Sequence, residues 1–377
     1  MPTIEFKSPY LRRQNRLRQA MQKAGIDALA LNPGPSLTYL TGLYFHLMER
    51  PVVVLFTTKR PPTFVLPELE AGKTSNLTFD LITRPFGEDP QTWPGVFKEA
   101  VKGLEISKNA RVGIEPRRLR VLELRLLESA SPGSSFTSAE DVIAELRMHK
   151  DPEEISAMHQ AVEFAQNALQ ATLPSIQIGM SEKDIAAELT LQLLRGGSES
   201  QLPFPPIVAS GPNSANPHSV PSKRRLQPGD LLVIDWGASH QGYFSDLTRT
   251  FAVAEILPEF DQVAKVVAAA NEAGRLAARP GVPASTVDIA ARNVIERSGF
   301  GEYFIHRTGH GLGMEEHEEP YIRGDNDQPL AEGMTFTVEP GIYLPNRGGV
   351  RIEDDIVITA QGSESLSDMP RDLRIVG

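Results

Sequence analysis

The chain has 377 residues, of which 40% are hydrophobic and 23% are charged, and its formal net charge at pH 7 is -10. This length favours two domains over one, and the acidic balance with only short basic clusters argues against a nucleic-acid partner. The absence of cysteine excludes disulfides and thiolate metal sites, and without an apolar leader or a long apolar run the sequence predicts a cytoplasmic protein with no membrane span.

The N-terminal part alternates between helical and strand patterns. Leu11, Leu17 and Met21 fall on one face of a predicted helix, and Gly25 is a typical residue for its end. Three apolar segments are suited to buried strands, namely DALALN (27–32), PVVVLFTT (51–58) and PTFVLPE (62–68). These patterns predict an α/β domain over residues 1–145.

A long helix marks the start of the second domain. Asp151 is placed as its N-cap, Pro152 stands at the first helical position, and Glu153 and Glu154 suit the positive end of the helix dipole. The domain boundary is therefore predicted between residues 140 and 150, which assigns residues 146–377 to the second domain.

Two segments of this second domain resemble each other. GMSEKDIAAELTLQLLRGG (179–197) and GVPASTVDIAARNVIERSG (281–299) each run from a glycine, through a Ser or Thr cap candidate, into a helix that closes at glycine. A histidine-bearing segment follows each copy. This repetition indicates a duplicated half-domain, and chance similarity between two amphipathic helices is the alternative.

Residues 229–253 have the pattern of a β-hairpin. An apolar run leads to Asp235, the turn-like SHQG follows, and the chain from Tyr243 alternates as a strand does. With His240 and Gln241 as the central turn residues, Asp235 would lie directly opposite Asp246. Like charges in that position destabilise a ladder, so the pattern predicts a divalent cation between the two carboxylates.

Residues 306–317, HRTGHGLGMEEH, hold His306, His310 and His317 among interleaved glycines. The glycines argue against a helix, and the arginine after His306 excludes the helical zinc signature. Glycine lets the backbone approach closely while an imidazole points into a site. A lone histidine of this kind is more often structural, but several histidines together with four carboxylates indicate a metal site.

Residues 333–359 repeat the arrangement of the hairpin. A strand ends in Glu339, a connection rich in Pro, Gly and Asn follows, and a second strand carries Glu353 on the same face as Arg351 and Asp355. A solvated edge strand has the same pattern. Arg351 could contact a substrate, and the alternative is that it only neutralises its acidic neighbours.

Several other residues of this domain are interpreted as structural. Trp236 is expected in the core, and Asp354 is a candidate partner behind the metal ligands. The acidic residues after the histidine segment are expected to form a solvated stretch, and these are Glu315, Glu316, Glu318 and Glu319.

The ordered set of acidic and histidine residues resembles the five-ligand dinuclear metal site of the pita-bread metallopeptidases, the family of methionine aminopeptidase, aminopeptidase P and prolidase. The matching ligands are Asp235, Asp246, His310, Glu339 and Glu353. The matching segments are PHSVPS, GDLLVIDWGASHQGYFSDLTRTF, HRTGHGLGMEEHEEP, GMTFTVEPGIY and GVRIEDDIVIT, which cover most of 205–360. GIDALALNPGPSLTYLTGL is similar to the creatinase-like domain of the proline-specific branch.

This resemblance implies an α+β pita-bread catalytic domain with pseudo-twofold duplicated halves, preceded by a smaller α/β creatinase-like domain. It also implies two divalent ions per chain, with Asp235 on one, His310 and Glu339 on the other, and Asp246 and Glu353 bridging both. Four carboxylates and one imidazole make Mn²⁺ the first expectation, with Co²⁺, Fe²⁺ and Zn²⁺ as alternatives.

The resemblance further implies the roles of individual side chains. Glu339 would move a proton toward the leaving nitrogen, and His317 and His218 would steady the developing oxyanion. The residues implied to contact the substrate near its proline are His306, Arg351, Tyr343 and His218.

The expected activity is hydrolysis of the bond between a first residue and a following proline, as an Xaa-Pro aminopeptidase. A prolidase restricted to Xaa-Pro dipeptides is the alternative, and the motifs do not separate the two. A hydrolase of non-peptide C–N bonds and a non-catalytic binding module of the same fold fit less well, because such relatives lose metal ligands that this chain retains. The expected partners are a peptide with proline at its second position and a second copy of the chain in a homodimer.

Overall fold

The computed structural model describes residues 8–377, which divide into two compact units, residues 8–147 and Met148–Gly377. The first unit ends at Arg147, whereas the sequence predicted that the first domain ends at residue 145. Among the residues described, no helix is long and apolar enough to cross a membrane.

The first unit is built on one six-stranded mixed sheet with the strand order β4-β3-β2-β1-β5-β6. Its strands are β1 (Ala28–Leu31), β2 (Val53–Thr57), β3 (Thr63–Pro67), β4 (Ile82–Phe86), β5 (Arg111–Ile114) and β6 (Ser135–Ser138). Its helices are α1 (Pro9–Ala24), α2 (Pro35–Thr41), α3 (Trp93–Gly103), α4 (Val121–Ala130) and α5 (Glu140–Met148). The predicted α/β layer is confirmed, and Gly25 ends α1 with a left-handed φ of 65°.

The second unit combines four helices with two larger sheets and two hairpins. Its helices are α6 (Pro152–Thr172), α7 (Glu182–Arg195), α8 (Pro258–Ala277) and α9 (Ala284–Arg297). Its first strands are β7 (Ile207–Ser210), β8 (Leu231–Trp236), β9 (Ser239–His240), β10 (Tyr243–Phe244), β11 (Leu247–Val253) and β12 (Gly309–Gly311). The remaining strands are β13 (Glu318–Ile322), β14 (Thr335–Val338), β15 (Gly341–Leu344), β16 (Gly348–Arg351), β17 (Asp354–Thr359), β18 (Gly362–Ser365) and β19 (Arg374–Val376).

The sheets of this unit follow the order β19-β11-β8-β7 and the order β13-β12-β14-β17-β18. Helix α6 begins as predicted, because Asp151 accepts the backbone N–H of Glu154 and the Glu154 side chain accepts that of Asp151. Trp236 lies in the core as expected and donates its indole N–H to the Ala165 carbonyl at 2.8 Å.

The duplication predicted from the sequence is present as a pseudo-twofold fold. Before α7, the N–H of Gly179 donates to the carbonyl of Leu226 at 3.0 Å, and before α9 the N–H of Gly281 donates to that of Leu330 at 2.7 Å. The two helices start differently, because Ser181 caps α7 whereas Pro283 precedes α9 without a side-chain cap. The expected Ser or Thr cap of the second copy is therefore wrong.

The predicted hairpin forms with a different register. Asp235 pairs with Thr248 across β8 and β11, and Asp246 comes directly before β11. The turn residues are Gln241 and Gly242, with φ of 51° and 77°, so the turn lies one residue later than predicted. Two left-handed residues make the turn that matches strand twist, and glycine adopts that conformation without strain.

The C-terminal region departs from the single strand that was predicted through Glu353. Strand β16 pairs with β15 in a hairpin, whereas β17 pairs with β14 in the five-stranded sheet. Glu353 lies between β16 and β17, where its N–H donates to the carbonyl of Thr248 at 3.1 Å. The chain therefore leaves one sheet and enters another at Glu353.

Candidate metal centre and active site

The second unit contains a cavity of about 740 Å³, and its lining residues lie between Phe204 and Glu353 in the sequence. Among its lining residues are Asp235, Asp246, His310, Glu339, Glu353, His306, His317, His218 and Arg351. These are all of the site residues identified from the sequence except Tyr343, which is 3% exposed and lies behind the lining.

The four carboxylates occupy equivalent places in the two halves. Asp235 is near the end of β8 and Glu339 directly follows β14, while Asp246 directly precedes β11 and Glu353 directly precedes β17. Each half has a pair of antiparallel strands, and each strand of the pair carries one carboxylate at or next to its end. The two halves together therefore supply four carboxylates to one cavity.

His310 faces this acidic cluster. Its Nε2 lies 3.7 Å from Asp246 Oδ2 and 3.4 Å from Glu339 Oε1. Its Nδ1 lies 3.2 Å from the carbonyl of Gly311, and since a carbonyl only accepts, Nδ1 carries the proton and Nε2 presents its lone pair. One candidate ligand atom from each of Asp246, His310 and Glu353 lies within 4.8 Å of the other two.

The acidic cluster is short of positive charge. Burial, followed by the charges of neighbouring carboxylates, raises the pKa of Asp246 and of Glu353 well above their ordinary values. Burial also raises the pKa of Glu339 to about 7, although the charge of Arg351 opposes this. A cation between them would stabilise ionised carboxylates at these positions.

The donor set fits divalent metal. Asp235 Oδ1 is buried and has no hydrogen-bond partner among residues 8–377, so it is available to a ligand. Carboxylate oxygens and one imidazole nitrogen are ligands that suit hard and borderline divalent ions.

Arg351 is held by several partners at the edge of the cluster. Its Nη2 donates to Asp235 Oδ2 at 2.5 Å, and its Nε donates to Thr248 Oγ1 at 3.0 Å. Its ion-pair partner is therefore Asp235 rather than Glu353 or Asp355. Thr248 in turn donates its hydroxyl to Glu353 Oε2 at 2.6 Å, so a threonine of the first half links Arg351 to Glu353 in the second half.

A directional chain of hydrogen bonds connects Arg351 to His306. Arg351 Nη1 donates to the Tyr343 hydroxyl at 3.0 Å, which lies 2.9 Å from His306 Nε2. His306 Nδ1 lies 2.7 Å from the carbonyl of Arg307 and must donate to it. Tyr343 therefore donates to Nε2, and burial lowers the pKa of His306 to about 4, which keeps the imidazole neutral.

His317 and His218 complete the histidines of the cavity. The His317 ring lies 4.0 Å from that of His310. Partial burial, followed by the positive charges of Arg307 and His218, lowers the pKa of His317 to about 4. His218 is exposed in the loop after β7, where its N–H donates to Asn216 Oδ1 at 3.1 Å.

Sequence reasoning missed three features of the site. Thr248 gave no signal, because its role depends on a contact between residues 105 positions apart. The acidic stretch is not uniformly solvated, since Glu316 lines the cavity and Glu318 forms a 2.6 Å ion pair with buried Lys150. The apolar run PFPPI (203–207) is visible in the sequence, and it lines the cavity through Phe204, Pro205 and Ile207.

Two family models match this chain. The model of metallopeptidase family M24 matches residues 156–360, and the model of the creatinase/prolidase N-terminal domain matches residues 13–149. An Xaa-Pro dipeptidase from Lactobacillus delbrueckii subsp. lactis is 35% identical over 366 residues, which are 96% of this chain and 98% of that protein.

Solved structures give the same result. A prolidase from Thermococcus sibiricus has a TM-score of 0.92 at 33% identity, covering 98% of this chain and 100% of its own. An X-Pro aminopeptidase from Thermotoga maritima MSB8 has a TM-score of 0.84 at 33% identity, covering 96% of this chain and 99% of its own. The predicted family and fold are confirmed, and the chain belongs to metallopeptidase family M24, with a creatinase-like N-terminal domain before a pita-bread catalytic domain.

Proposed function

We propose that this metallopeptidase is an Xaa-Pro dipeptidase. The observation that carries the proposal is one cavity in which three buried carboxylates, the half-buried Glu339 and His310 lie beside Arg351 and His306. The similarity to an Xaa-Pro dipeptidase and to a prolidase along nearly their whole lengths supports it. Those relatives favour the dipeptidase over the Xaa-Pro aminopeptidase that the sequence analysis preferred.

The proposal includes two divalent ions, with Mn²⁺ as the first candidate. The side chains proposed to hold them are Asp235, Asp246, His310, Glu339 and Glu353. Divalent ions bound here would lower the pKa of a coordinated water and polarise the carbonyl of the scissile bond. The donor chemistry and the unpartnered Oδ1 of Asp235 support this assignment.

The remaining tasks fall to side chains around the cluster. Glu339 lies beside His310, where its carboxylate can carry a proton toward the proline nitrogen as the bond breaks. His317 and His218 are proposed to donate hydrogen bonds to the oxygen of the scissile carbonyl. Arg351 and His306, linked through Tyr343, are proposed to hold the proline side of the substrate.

Paired substrates test the proposal. With added Mn²⁺, we expect the kcat/KM for Ala-Pro to exceed that for Ala-Pro-Ala by about tenfold or more. We expect Ala-Ala to be cleaved poorly. Comparable kcat/KM values for Ala-Pro and Ala-Pro-Ala would instead support an Xaa-Pro aminopeptidase, which the similarity to the Thermotoga maritima structure favours. Cleavage of neither peptide would refute both activities.

We also propose a homodimer, as expected for the family. Light scattering during size-exclusion chromatography would then give about twice the chain mass of 41.3 kDa. A cytoplasmic location remains a prediction.

A further inference from the structure

Glu316 is an acidic side chain of the cavity that the proposed reaction does not use. It is partly buried and lines the cavity next to His317 in the chain. Among residues 8–377 no hydrogen bond or ion pair to its carboxylate is found. Glu316 therefore places a negative charge in the substrate cavity without a protein partner.

The positive charges of the cavity are engaged elsewhere. Arg351 forms its ion pair with Asp235. Arg307 stacks 4.4 Å above the ring of Tyr321, and its Nη2 lies 3.5 Å from His317 Nδ1. Burial, followed by the charge of Asp235, raises the pKa of Glu316, and no nearby cation lowers it. Because the carboxylate is uncompensated, a cation brought by the substrate would gain an ion pair there.

The same cavity also has an apolar wall. Ile207 pairs directly with Asp235 across β7 and β8, and both residues line the same cavity as Glu316. The wall consists of Phe204, Pro205, Ile207, Pro217, Val220 and Pro221. A long aliphatic stem that ends in a positive charge matches an apolar wall beside a free carboxylate.

We infer that Glu316 selects substrates whose first residue is lysine or arginine. This inference rests on the proposed Xaa-Pro dipeptidase activity and names a substrate class for it. The aliphatic stem of the first residue packs on the apolar wall, and its charged end pairs with Glu316. An acidic first residue is disfavoured because its carboxylate meets the charge of Glu316.

Competition among Lys-Pro, Leu-Pro and Glu-Pro tests this inference. All three dipeptides carry the same α-ammonium and proline carboxylate, so their relative kcat/KM values report on the first side chain alone. We expect the wild type to favour Lys-Pro over Leu-Pro. In Glu316→Gln that ratio should fall by roughly fivefold to tenfold, mainly through a higher KM for Lys-Pro. Glu316→Lys should make Glu-Pro a better substrate than Lys-Pro.

Glu315→Gln is the matched control, since Glu315 is the adjacent acidic residue and is not among the lining residues of the cavity. It should leave the Lys-Pro to Leu-Pro ratio within about twofold of the wild type. An unchanged ratio in Glu316→Gln, with Leu-Pro still cleaved, overturns the inference and leaves the dipeptidase standing. Failure of the wild type to cleave any of the three dipeptides overturns the dipeptidase and the inference together.

Discussion

At the residue scale, the ionised forms of Asp246 and Glu353 are destabilised, because each carboxylate is buried beside others of like charge. The backbone N–H of Asp246 donates to Asp355 Oδ2 at 3.1 Å, which orients the backbone rather than the carboxylate. The Glu353 carboxylate accepts a hydrogen bond from Thr248. Neither contact supplies positive charge, so a bound cation is expected to stabilise both.

Asp246→Ala tests that expectation. We predict loss of bound metal, measured by elemental analysis after dialysis, and a fall in the proposed dipeptidase activity of roughly two orders of magnitude or more. Asp261→Ala is a suitable control, because Asp261 pairs with Lys265 on the surface of α8. Full metal content and activity in Asp246→Ala would contradict the proposed ligand set.

The glycines around His310 show how elements determine a side-chain position. A Cβ on Gly309 would collide with the backbone carbonyl of Thr337, and one on Gly311 would collide with that of Glu319. Strands β12, β13 and β14 can therefore approach closely only with glycine at these positions.

Gly309→Ala is predicted to displace β12 from β14 and to move His310 away from Asp246 and Glu339. We expect weaker metal binding. We also expect a larger fractional loss of activity than the fall in melting temperature alone would explain. Gly95→Ala provides the comparison, because nothing lies within 4 Å of a Cβ at that position in α3. Normal metal affinity in Gly309→Ala would show that the close approach is not required.

The loop that carries His218 is held at both ends by one carboxylate. Glu182 at the start of α7 accepts hydrogen bonds from the N–H and the hydroxyl of Ser210 and from the N–H and the hydroxyl of Ser222. Although burial raises the pKa of Glu182, the hydrogen bonds from Ser222 and Ser210 outweigh it and lower the pKa below its ordinary value.

Because the pKa of Glu182 is lower in the folded state, its contribution to stability is present above the unfolded pKa and is lost as pH falls through the folded pKa. Glu182→Gln should reduce the free energy of unfolding at pH 7 by about 1–3 kcal/mol. The difference from the wild type should shrink below about pH 4. Urea unfolding of both proteins at pH 7 and pH 3 measures this difference in free energy. The same difference at both pH values would contradict the stabilising role of the ionised Glu182.

At the scale of the whole molecule, metal binding is expected to be coupled to folding. A site that binds metal only in the folded state raises the melting temperature when metal is present. We predict that chelation lowers the Tm of the wild type and that added Mn²⁺ restores it, measured by differential scanning fluorimetry. The Tm of Asp246→Ala should respond much less to either treatment, and an equal response in both proteins would contradict the coupling.

Much of the architecture could be predicted from the sequence, because its signals act over a few residues. The N-cap at Asp151, the glycine end of α1 and the apolar runs of β1 to β3 are such signals. The order of the acidic and histidine residues was likewise enough to predict the family, which is confirmed.

The tertiary structure alone decided which side chains meet. It shifted the register so that Asp235 pairs with Thr248, and it divided the chain at Glu353 between two sheets. It also linked Arg351 to Asp235 and brought Glu316 into the cavity. Local patterns specify helices and strands within a few residues. The contacts of Arg351 with Asp235 and of Thr248 with Glu353 instead join segments about 100 residues apart, and their geometry depends on the packing of both halves.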